Sequence, residues 1–123
     1  MKYLILLKYN PEWRAAWIGF SREEQAEMME LYAGFESALR ERGEFIDADQ
    51  LAGAEAAKTV SRTSEGVVAT DAPFAELKEY LGGYYLVDVE SEARAIEIAG
   101  WFPEADRGLV EIVPVMADAP GDA

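Results

Sequence analysis

Ser21-Arg22-Glu23-Glu24 is a capping box, in which the Ser21 hydroxyl accepts from the Glu24 amide while the Glu24 carboxylate accepts from the Ser21 amide. It is the strongest helix start in the chain. Behind it Met28, Leu31, Tyr32, Phe35, Ala38 and Leu39 recur at three- and four-residue steps, with Glu23, Glu27, Glu30, Glu36 and Glu41 on the other side. Arg40 and Arg42 suit the negative end of the helix dipole, and Gly43 suits the left-handed position that ends a helix. A long two-faced helix must bury its apolar stripe against a second layer, and the flanking segments read as strands that supply a sheet.

Lys2 to Tyr9 is a short apolar run and reads as a central strand. Asn10-Pro11-Glu12 opens a short helix ended by Gly19, on which Trp13 and Trp17 form an aromatic ridge. Phe45 to Leu51 and Ala57 to Thr63 read as strands, and Ser64-Glu65-Gly66 as a hairpin loop returning into Val67 to Thr70. Asp71 to Phe74 reads as a loop and Ala75 to Leu81 as a short helical turn. Gly82-Gly83 then precedes a strand from Tyr84, Ser91 caps a helix running to about Trp101, Pro103 stops it, and Leu109 to Met116 is the last strand. This is the split β-α-β order of ferredoxin-like α+β domains with an inserted β-hairpin. The expectation is one domain over residues 1–116 and a frayed tail over 117–123.

The chain has 123 residues, 11 basic against 24 acidic, no Cys and no His, for a net charge of −13. The missing Cys and His exclude disulfides, thiolate nucleophiles, imidazole bases and the commonest transition-metal ligands. The negative charge repels phosphate backbones and anionic lipid, so neither nucleic acid nor membrane is expected as a partner. The opening apolar run ends at Lys8, short of a signal core of roughly seven or more residues, and no run approaches the roughly 18 apolar residues of a membrane span. A cytoplasmic location is expected.

Thr70-Asp71-Ala72-Pro73-Phe74-Ala75-Glu76, then Lys78 and Gly82-Gly83-Tyr84-Tyr85-Leu86-Val87-Asp88-Val89, resembles the signature stretch of the YCII-related proteins, in particular the DGPF-domain branch. The opening Met1-Lys2-Tyr3 and the closing Val110 to Met116 extend the resemblance over nearly the whole chain. It implies a dimeric α+β-barrel type of fold, frequent encoding near extracytoplasmic-function sigma factors, and no common activity. Shorter YCII-like relatives have been proposed to use a His–Asp catalytic pair, which this His-free chain cannot carry. Ala72 stands where the motif has Gly.

The candidate residues follow from the chemistry that remains. Asp71 stands where a strand meets a loop and can serve as base, as ligand anchor or as a cap on its own turn. Tyr9, Tyr84 and Tyr85 lie at strand ends, where a phenol beside a carboxylate makes an acid–base pair without His. The expected catalytic candidates are Asp71, Tyr9 and Tyr84, and the expected ligand pocket adds Phe74, Trp13 and Trp17 as apolar walls. Glu76, Lys78 and Glu79 read as solvated, and Asp47, Asp49, Asp88 and Asp71 lack the loop spacing of a Ca²⁺ site, so neither metal nor cofactor is expected. Two functions fit: a homodimeric small-molecule-binding or regulatory module, or a cofactor-independent isomerase or lyase using Asp71 and a tyrosine.

Overall fold

A computed structural model describes residues 1–71 and 79–118. Strand β1 (Lys2–Tyr9) is followed by helices α1 (Pro11–Gly19) and α2 (Arg22–Glu41), strand β2 (Phe45–Gln50), the hairpin β3 (Lys58–Thr63) and β4 (Gly66–Asp71), strand β5 (Tyr80–Asp88), helix α3 (Glu92–Ala99) and strand β6 (Val110–Pro114). The main sheet has the order β2-β5-β1-β6 with antiparallel neighbours, which is the ferredoxin-like α+β arrangement; β3 and β4 pair separately.

Local chemistry sets the helix starts. The Asn10 side chain accepts from the Trp13 amide at 2.8 Å. Glu24 N donates to Ser21 Oγ at 3.0 Å, and Ser21 N donates to Glu24 Oε1 at 2.9 Å, completing the capping box. Gly43 takes φ 70° just past α2. Ser91 caps α3, whose last helical residue is Ala99, and Pro103 opens a 3-10 turn over Pro103–Arg107.

Alternation along the strands decides which residues meet the helices. Tyr3, Ile5 and Leu7 of β1 and Tyr85 and Val87 of β5 form one buried cluster with Leu39 of α2, Ala95 and Ile98 of α3, and Phe102. Leu4, Leu6 and Leu86 face the opposite side and stay half-buried, while Val113, paired with Leu4, is 43% exposed. Every residue from Lys58 to Asp71 is exposed, so within one chain the hairpin leaves that face uncovered.

One element departs from the sequence expectation. β5 begins at Tyr80, so Leu81 and the Gly82-Gly83 pair lie inside the strand rather than before it. The register slips between Leu7, opposite Gly83, and Lys8, opposite Leu81, leaving Gly82 as the extra residue of a bulge. A Cβ on Gly82 would lie 2.7 Å from Tyr9 Cδ1, and one on Gly83 would lie 3.2 Å from the Asp49 carbonyl oxygen. Glycine is therefore required by the neighbours, not by a turn. Residues 75–78 of the expected helical turn, and residues 119–123 of the expected tail, lie outside the described residues.

Candidate functional site

A cavity of about 260 Å³ opens where the bulged ends of β1 and β5 meet the middle of α2. Its walls are mostly apolar: Leu7, Trp17, Met29, Ala33, Ala48 and the two glycines Gly82 and Gly83. Tyr9, Tyr32 and Tyr85 bring their rings to it, and Glu36, Asp49 and Glu104 bring carboxylates, with the Gln50 amide beside them.

Glu104 is the unusual member. It is 2% exposed, yet it makes no ion pair among the described residues. The Tyr32 hydroxyl donates to Glu104 Oε1 at 2.8 Å. Several local devices put the carboxylate there. Phe102 is fully packed between Tyr32, Phe35 and Tyr85, with ring centroids 6.2, 5.1 and 4.9 Å away. Pro103 then presets the backbone for a tight turn. The Leu109 amide closes the turn on the Glu104 carbonyl at 3.0 Å, helped by Gly108 at φ 68°.

Burial pushes the Glu104 carboxyl above the usual carboxylate range, while the Tyr32 hydroxyl and the Glu104 amide, which favour the ionised form, offset part of that. Burial and the Glu104 charge also push Tyr32 up, so it remains a protonated donor. Tyr85 is pushed up to about 12 by burial, with smaller contributions from Glu36 and Glu104. Tyr9 is raised by burial and by the Glu104 and Tyr80 charges, against a lowering by Trp13 and Gln50 beside it. The site thus presents one carboxylate with enhanced proton affinity among hydroxyls that do not ionise near neutral pH.

Of the residues singled out in the sequence, Tyr9, Trp17, Tyr85 and Asp49 line this cavity. Trp13 is buried beside Tyr9, edge-on to Phe20 at 6.5 Å and under the Arg107 guanidinium at 5.4 Å. Tyr84 lies on the opposite sheet face, where its hydroxyl donates to Asp47 Oδ2 at 2.9 Å, and that bond pushes its pKa up. Asp71 ends β4 and pairs with Lys58 across the hairpin, exposed to solvent. The structure does not bring Asp71 or Tyr84 to Tyr9 in this cavity. Phe74 lies outside the described residues. Asp88 accepts from the Met1 ammonium at 2.9 Å.

Sequence reasoning did not single out Glu104, because Pro103 reads as a helix stop and an acidic residue after it reads as solvated. The available signal was its position two residues beyond Trp101-Phe102 and five before Leu109, in a stretch whose apolar residues demand burial.

The ferredoxin-like order, the bulged β1–β5 centre and the cavity at its end define an α+β domain with a buried acidic group, Glu104, in the cavity wall. The chain matches the model of the YCII-related domain over residues 1–117 and belongs to that family. It is similar to an uncharacterized protein of Rhizobium meliloti (strain 1021), with 29% identity over 124 residues that cover 99% of this chain and 98% of that protein. Among the described residues no helix is long and apolar enough to cross a membrane.

Proposed function

We propose that this protein binds a small organic molecule in the cavity at the β1–β5 bulge, with Glu104 as the polar anchor and Tyr9, Trp17 and Tyr32 as walls. The carrying observation is the Glu104 carboxylate, 2% exposed and lining an open cavity with no basic partner among the described residues. A buried charge without a partner is costly in a purely structural role, and a few converging polar groups in an apolar concavity are the usual make-up of a ligand site. A fragment library screened by protein-observed NMR tests this. Hits should shift Tyr9, Trp17 and Tyr32 signals, and polar hits should weaken in Glu104→Gln. Hits confined to other surfaces overturn the reading.

A second reading is favoured by the raised proton affinity of Glu104 beside a phenol that stays protonated. Here Glu104 takes a proton from bound substrate and returns it elsewhere, as in a cofactor-independent isomerase or lyase. A ligand from the screen would then exchange a carbon-bound hydrogen with D₂O in the wild type and not in Glu104→Gln. Retention of every such hydrogen limits the domain to binding, the role a regulatory module associated with a sigma factor requires.

The homodimer belongs to the same reading. Leu4, Leu6 and Leu86, half-buried, and Val113, exposed, form an apolar stripe on the uncovered sheet face, as self-association through that face requires. Sedimentation equilibrium should give twice the 13.6 kDa chain mass, and Leu6→Glu should return the protein to that mass.

A further inference from the structure

We infer that the cavity is selective for a small organic cation, an amine or quaternary ammonium whose positive charge sits against Glu104 within the aromatic wall. This rests on the cavity being a ligand site and names the class of ligand.

The first support is the placement of the basic side chains. Arg107 lies three residues from Glu104 in the same turn, close enough in sequence to neutralise it. It points instead toward Glu12, at 3.7 Å, and covers the Trp13 ring. Arg14 is paired with Glu55 at 3.2 Å, and Lys8 with Glu79 and Glu111. Glu36 and Asp49, the other carboxylates in the wall, are already engaged: Glu36 has Arg40 at 3.2 Å, and Asp49 Oδ1 accepts from the Gln50 amide at 3.0 Å. Among the described residues that line the cavity there is no Lys or Arg. A carboxylate or phosphate ligand would therefore meet like charge without compensation.

The second support is the wall itself. Tyr9, Trp17, Tyr32 and Tyr85 present aromatic rings, and ring faces attract a desolvated cation. A neutral apolar ligand would use the same rings but leave Glu104 without a counter-charge. At about 260 Å³ the cavity lies below the range for drug-sized ligands, which favours a compact amine.

The test uses three probes of similar size: choline, its neutral isostere with carbon in place of the quaternary nitrogen, and propionate. Binding is followed by the indole N–H resonances of the three tryptophans and by the carboxyl carbon shift of Glu104. Choline should shift Trp17 and bind about tenfold tighter than the isostere, drive the Glu104 carbon to its ionised position, and lose most of this preference in Glu104→Gln. Trp17→Leu should weaken choline more than the isostere, which keeps the test open if Glu104→Gln does not fold. Equal binding of choline and isostere, or preference for propionate, overturns the inference and leaves the cavity as a small-molecule site. No shift at Trp17 from any probe or from the fragment library overturns both.

Discussion

Tyr32 and Glu104, separated by 72 residues of chain, meet in a 2.8 Å hydrogen bond that joins the middle of α2 to the turn after α3. The bond ties the helix layer together and, among the described residues, supplies the one direct donor to the buried carboxylate outside its own turn.

The stability of the protein should depend on pH through Glu104. Its folded-state affinity for protons is raised above the ordinary value of 4.5, so its contribution is fully present below that value and is lost as pH rises through the folded one. Glu104→Gln has no proton to lose there. The melting temperature of the variant relative to the wild type should rise from about pH 4 to about pH 7 in thermal unfolding followed by circular dichroism. A constant difference across that span would contradict the burial argument.

Tyr32→Phe removes the donor and leaves the carboxylate buried. The expected loss is about 2 kcal/mol at neutral pH, as for a hydrogen bond to a charged group, and less in acid where Glu104 is protonated. Urea denaturation at the two pH values measures it.

The ion pair of Glu44 and Arg94 makes the opposite pH prediction. Both side chains are buried, with Nη2 to Oε1 at 2.9 Å and Nε to Oε2 at 3.0 Å, and the Arg94 hydrogen bonds hold Glu44 below the usual carboxylate range. Its contribution is present above 4.5 and is lost as pH falls through the lowered value. Glu44→Gln leaves a buried guanidinium without its main counter-charge and should cost about 3 kcal/mol near neutral pH. A cost that persists unchanged in strong acid would show that packing rather than charge is responsible.

Gly82→Ala places a methyl group against the Tyr9 ring, itself edge-on to Tyr80 at 5.7 Å. The ring has to move into the cavity or out of its contact with Tyr80. We expect a loss of about 1–2 kcal/mol, as in other overpacked sites, and weakened ligand binding at Trp17. Retained affinity would place the ligand away from the bulge.

Much of the fold was legible because short-range signals and layer requirements agree. The capping box at Ser21, the Asn10 and Ser91 caps and the apolar run of β1 each state their element locally, and their order allows few topologies. Gly82-Gly83 misled because glycine is ordinarily punctuation, and only the approach of Tyr9 and Asp49 from other strands explains it inside β5. The site was half legible. Tyr9 and Trp17 could be named from their strand end and helix face, whereas Tyr32 read as ordinary helix core. Its pairing with Glu104 is a tertiary fact that no spacing along the chain encodes.

The position of β1 between β5 and β6 also sets a timetable for biosynthesis. The run from Tyr3 to Leu7 leaves the ribosome well ahead of its ladder neighbours, which are Val87 to Gly83 on one side and Pro114 to Val110 on the other. At roughly 5–20 residues per second, the wait for β5 is on the order of ten seconds. Until then the most apolar strand of the chain has both edges open, with only α1 and α2 made soon enough to shelter it. The nascent chain is therefore most exposed to aggregation and chaperone capture before its last third exists, and a pause in translation between β2 and β5 would lengthen that interval directly.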